Sequence, residues 1–207
     1  IPVLTTTPAI MYTGSGAISL LLAPGEKTNI FINQREICRR QSKLHREKKS
    51  DEANVYYGGY LAGLSAEINK LNFQTEIDSD YPLFIQELKD KNAEEVKAYI
   101  LEKQQSKLRE IENLKATKAC KAVLHNAVNA SAASLLMFVP QIVQRVHIVN
   151  YKLEGEASKE YVKNNPVQLP DNFYDLLKDF SNLNTPEALY TPQYARLTAS
   201  QTFRKAF

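Results

Sequence analysis

Few side chains in this sequence are of the types and spacings that do covalent chemistry. Its two thiols, Cys38 and Cys120, lie far apart and form no Cys-x-x-Cys pair, so neither a redox dithiol nor half of a zinc site can be read. They read as buried, inert thiols; a disulfide between them would require their Cα atoms to approach within about 7 Å, which sequence does not show. His45, His125 and His147 are scattered, and neither of the last two has a carboxylate at ligand spacing, so no metal site is predicted. Gly14-Ser15-Gly16 lacks the lysine and helix start of a phosphate loop, and no serine sits in a nucleophile elbow. The neighbouring carboxylates Glu94 and Glu95, and likewise Glu110 and Glu112, fall where a solvated helix surface is expected. No catalytic residue, cofactor motif or metal ligand is therefore assigned.

What remains is chemistry of binding. Segment 35–49 carries seven basic residues (Arg35, Arg39, Arg40, Lys43, Arg46, Lys48, Lys49) against Glu36 and Glu47, while the whole chain has a formal charge of only +3. The rest of the chain is slightly acidic. A basic stripe can meet phosphates, an anionic surface or an acidic partner, but equally a solvated helix face. One basic helix without a helix-turn-helix, zinc or aromatic-platform context, followed at once by Asp51 and Glu52, does not predict nucleic-acid binding. Tyr56, Tyr57 and Tyr60 could line a groove, although a packing role between elements suits such a cluster better. The candidate partner-binding residues are thus Arg35, Arg39, Arg40, Lys43, Arg46, Tyr56, Tyr57 and Tyr60.

The elements that must hold these residues follow from periodicity. Residues 3–7 and 10–13 are short β-prone pieces broken by prolines and glycines. Residues 17–23 form an apolar run, Pro24-Gly25 suits the centre of a type II turn, and 28–32 alternates in polarity, which together predict a hairpin. Such a hairpin must pair with the N-terminal pieces or with further chain, because two strands alone are marginal in water. From residue 34 the period changes to that of a helix, with Ile37, Gln41 and Leu44 on one face. Gly58-Gly59 redirects the chain into a helix over 60–72 carrying Leu61, Leu64, Ile68 and Leu71.

Pro82 suits the first turn of a short helix with Phe84, Ile85 and Leu88. Asn92 and Glu95 form a variant capping box for a long helix ending near Thr117. Segment 118–139, rich in alanine and serine, is the expected central helix, ended or kinked by Pro140. A short helix over 157–163, another opened by Pro170-Asp171, and starts at Thr185-Pro186 and Thr191-Pro192 complete the prediction. The fold class is mainly α: an irregular helical bundle with a short N-terminal β-hairpin or small sheet. Residues 1–33 are taken as a β segment and 34–207 as a helical domain. The apolar stretch 130–149 is interrupted by Pro140, Gln141, Gln144, Arg145 and His147, so no membrane span is expected. The absence of an initiator methionine and of a cleavable leader suggests a processed or excised chain.

Four segments carry a resemblance. Leu20-Leu-Leu-Ala-Pro-Gly-Glu-Lys-Thr-Asn-Ile-Phe-Ile-Asn33, Arg39-Arg40-Gln41-Ser42-Lys43, Tyr57-Gly-Gly-Tyr-Leu-Ala-Gly-Leu64 and Phe173-Tyr-Asp-Leu-Leu-Lys-Asp-Phe-Ser-Asn-Leu-Asn184 resemble the region preceding the thioredoxin-like domain in envelope thiol–disulfide oxidoreductases of the TlpA and AhpC/TSA type. The resemblance implies a periplasmic or cell-envelope setting and a non-catalytic helical domain that positions a redox domain or a client protein, anchors a homo-oligomer, or both. It implies that residues 1–33 are the remnant of a β-domain. The Cys-x-x-Cys motif and its βαβ surroundings are absent here, so no catalytic residue is carried over. The alternative is a free-standing interaction protein that uses 35–49 to dock an acidic or nucleic-acid partner.

Overall fold

The structure, a computed structural model, describes residues 7–13, 16–41 and 55–180. The expected starts at Thr185 and Thr191, and Lys43, Leu44, His45, Arg46, Lys48 and Lys49, lie outside these residues. The fold is mainly α, with seven α-helices and two small antiparallel sheets among the described residues.

The first sheet joins β1 (Thr7–Thr13) to β2 (Gly16–Leu22), with Thr7 opposite Leu22 and Thr13 opposite Gly16. Pro8 is tolerated because β1 has one strand neighbour among the described residues, leaving an edge where a missing N–H breaks no ladder. Pro24-Gly25 does form a turn: Glu26 N–H donates to the Ala23 carbonyl at 3.3 Å, and Gly25 adopts φ 71°. The predicted hairpin between 17–23 and 28–32 does not form, however. β3 (Asn29–Ile32) instead pairs with β4 (Val55–Gly58), Asn29 opposite Gly58 and Ile32 opposite Val55. A turn with positive φ only at its second central residue twists against the flanking strands and splays them, whereas tight hairpins use the mirror-image turns.

Helix α1 (Gln34–Gln41) starts where the Asn33 side chain accepts from Glu36 N–H at 3.1 Å. Its Ile37 meets Ile18 of β2 and Val55 of β4 in a small core bordered by Met11, Ile30 and Tyr57, so α1 ties the two sheets together. Helix α2 (Ala62–Leu71) then links this unit to the bundle. Its buried Ser65 hydroxyl accepts from Leu21 N–H of β2 at 3.1 Å, while Leu64, Ile68 and Leu71 pack beside Ile111, Cys120, Leu124 and Val128. Glu67 of α2 accepts from Thr117 N–H at 2.7 Å and also from the Thr117 hydroxyl.

In the bundle, α3 (Tyr81–Glu87) has Pro82 in its first turn and is capped by Asp80. Helix α4 (Ala93–Glu112) opens with the full reciprocal capping box, Glu95 N–H to Asn92 at 3.0 Å and Asn92 N–H to Glu95 at 2.8 Å. It stops short of the expected Thr117, because Asn113 and Leu114 turn back on the carbonyls of Glu110 and Ile111 and drop Leu114 and Ala116 onto the core. Helix α5 (Lys118–Met137) is the centre of the bundle, with Val128, Ala130, Ala132 and Leu136 fully buried. Its small residues let α4 approach closely, and the two helices share a buried hydrogen bond from Gln104 to Asn129 at 2.8 Å. Each large apolar side chain sealed there contributes about 1.5–3 kcal/mol.

At Phe138 the chain bends by 74° into α6 (Val139–Asn150), with Pro140 in the first turn of the new helix. No single helix among the described residues is long and apolar enough to cross a membrane. Helix α7 (Gly155–Asn164) follows the predicted turn. The helix expected from Pro170-Asp171 is instead a series of turns and a 3₁₀ helix (Asp175–Asp179), closed by bonds such as Phe173 N–H to Pro170 and Leu177 N–H to Tyr174. Burial of Phe173 and Leu177 against the bundle holds this tighter winding in place.

Candidate functional site

Strand alternation sorts the predicted tyrosine cluster into two roles. Tyr57 faces the small core and its hydroxyl donates to the Ser19 carbonyl of β2 at 2.8 Å. Burial pushes that hydroxyl up to about 12 from an ordinary 10.0. It is a packing contact between the sheets. Tyr56, one residue earlier, points to the opposite face, where it is 53% exposed and sits directly across from Phe31, itself 68% exposed. Tyr60, just past β4, is 74% exposed. Phe31 and Tyr56 thus form an exposed aromatic pair, with Tyr60 exposed in the turn that follows; the sequence points to the tyrosines but not to Phe31.

The turn that carries Tyr60 is held by Gly59, at φ 111°. A Cβ there would lie 2.2 Å from the Lys27 carbonyl oxygen, so only glycine lets the chain leave β4 against the segment entering β3. Immediately after β3, Arg35 is exposed on α1 while Glu36 is buried. Arg39 and Arg40 belong to the same helix. The described part of the basic segment therefore shows solvent a cation and withdraws its carboxylate.

The thiols differ from the expectation in one respect: Cys38 is exposed, not buried. Neither cysteine is in a disulfide. Cys120 occupies the first turn of α5, where its N–H donates to Thr117 at 3.2 Å, a position whose dipole favours a thiolate. Burial outweighs it, and together with the charge of Glu67 pushes the thiol up to about 11. Among the described residues no group of three His, Cys, Asp or Glu could hold a metal.

A concave feature elsewhere in the molecule was not legible in the sequence. A cleft of about 340 Å³ opens between α6, α7 and the α3–α4 turn. Its wall is a stack of three rings, the His147 imidazole lying between Tyr151 at 4.3 Å and Tyr161 at 4.1 Å between centroids. The Tyr151 hydroxyl donates to Asp90 at 2.9 Å, which raises the pKa of that hydroxyl, and the Lys89 ammonium lies 5.9 Å from the Tyr151 ring centre. Asp90 itself takes a left-handed φ of 60°. The i,i+4 spacing of His147 and Tyr151 on α6 was the one available signal. Nothing in the sequence tied that pair to Asp90 or to Tyr161.

Compared with protein-family models, curated proteins and solved structures, the chain matches none.

Proposed function

We propose that this chain is a non-catalytic, mainly helical module of a thiol–disulfide oxidoreductase, and that the aromatic face of the β3–β4 sheet seats the redox domain of the same longer protein. The observation that carries this reading is the directly opposed, exposed pair Phe31 and Tyr56, with Tyr60 exposed in the turn after β4. Large aromatic side chains left in water on a sheet face are typical anchors of protein contacts. Two of the segments that resemble the TlpA and AhpC/TSA type, 20–33 and 57–64, run through the strands and the turn that build this face. The state of the thiols fits a supporting role: Cys120 is buried and raised, and Cys38 has no neighbouring cysteine.

The test compares hydrogen exchange of β3, β4 and Tyr60 in the natural full-length product with that in the 207-residue chain. Slower exchange in the longer protein, reversed by a triple substitution of Phe31, Tyr56 and Tyr60 to serine, is the expected result. A full-length product without a strand–Cys-x-x-Cys–helix continuation would overturn the reading. Protection that appears only with a client or a second copy would replace the proposed occupant.

The exposed Arg35 beside a buried Glu36 favours one other reading, an acidic or nucleic-acid partner on α1. One helix neutralises few phosphates, so weak nucleic-acid binding at physiological salt is expected. Micromolar binding lost on changing Arg39, Arg40 and Lys43 to glutamate would make this the leading function.

A further inference from the structure

We propose that the cleft between α6, α7 and the α3–α4 turn binds a small zwitterion of the amino-acid class with an apolar or aromatic side chain. This rests on the cleft alone and is independent of the docking face. Its volume of about 340 Å³ lies at the lower end of small-molecule sites, which span roughly 300–1,000 Å³. Val143 and Val146 supply apolar lining, and the stacked rings of Tyr151, His147 and Tyr161 supply an aromatic wall. The stack and the Tyr151–Asp90 hydrogen bond hold this wall in place before a ligand arrives, which lowers the ordering cost of binding.

The charges select the ligand class. Asp90 and Lys91 both line the cleft, yet neither forms an ion pair within 4 Å among the described residues. Asp90 receives one hydrogen bond, from Tyr151, and keeps acceptor capacity for an ammonium group. Lys91, a lining residue with no ion-pair partner among the described residues, is the cleft's positive charge for a carboxylate. A simple anion would meet the Asp90 carboxylate, and a simple cation would meet Lys91 with Lys89 close by. A neutral ligand would leave both charges unmatched. Only a ligand that carries both signs close together answers both residues while its side chain covers the valines and rings.

The experiment titrates the 207-residue chain with L-phenylalanine, phenethylamine and 3-phenylpropanoate, following the ring resonances of His147, Tyr151 and Tyr161 by NMR. Phenylalanine should bind with a dissociation constant of about a millimolar or tighter, and each analogue lacking one charge about tenfold more weakly. Asp90→Asn should weaken phenylalanine and phenethylamine about tenfold and, by removing a like charge, should bind 3-phenylpropanoate somewhat more tightly than the parent does. Asparagine tolerates the left-handed backbone and can still accept from Tyr151, so the variant keeps the wall. Lys91→Met should show the mirror pattern. The proposal is overturned if phenylalanine binds no tighter than its two analogues, if neither substitution alters its binding, or if the rings do not respond at about 20 mM ligand, some twenty times the expected constant.

Discussion

Gly59 shows how much one missing Cβ can decide. Gly59→Ala would place a methyl carbon 2.2 Å from a backbone oxygen at a φ of 111°, so the strand pair must shift or break. A loss of about 3 kcal/mol or more is expected in denaturant unfolding, since strain and steric overlap add; an alanine variant within about 0.5 kcal/mol of the parent would contradict it. Tyr57 gives a pH signature. Its folded pKa lies above the unfolded one, so its contribution is complete below pH 10 and is lost as pH rises toward about 12. Cys120 acts in the same direction, from an ordinary 9.0 toward about 11. Stability should therefore fall between pH 9 and 12, and Tyr57→Phe together with Cys120→Ala should flatten that fall. An unchanged alkaline slope in the double variant would show that other groups govern it.

At the scale of elements, α5 and the sheets should differ in local stability. Helix α5 is buried along most of its length and opens only with the bundle, whereas each sheet has two strands and edges unpaired among the described residues. Amides of β1 to β4 should exchange faster than those of α5. Equal, slow exchange would mean that the sheets are sealed by more than the contacts described above. Leu136→Ala, at a fully buried position in the large core, should cost about 2–5 kcal/mol and accelerate exchange throughout α5. The α2 helix, bonded to β2 through Ser65 and to Thr117 through Glu67, connects the sheets to the start of α5.

For the molecule as a whole, the thiols make the sharpest prediction. The 207-residue chain should show no sustained thiol-dependent insulin reduction, because its exposed cysteine has no neighbouring resolving thiol and its other cysteine is buried with a raised pKa. Steady turnover by this chain alone would refute the assignment of a supporting role. Turnover by a natural full-length product with a Cys-x-x-Cys domain would be consistent with it.

Local rules were enough for most of the helices. The 3.6-residue stripes, Asn92 with its Glu95 partner and Pro82 mark starts, and Pro140 marks a break, that depend on neighbours within one turn of chain. Strand pairing is different, because a strand's alternation says which residues share a face but not which other strand it joins. Ile30 and Phe31 are equally apolar in the sequence; only the pairing with Val55–Gly58 and the packing of Ile37 turned one inward and left the other in water. The cleft likewise depends on bringing Asp90, His147 and Tyr161 together from three separate parts of the chain. Periodicity carries no information at that range, so the helices could be read from sequence while the surfaces that can bind had to wait for the tertiary contacts.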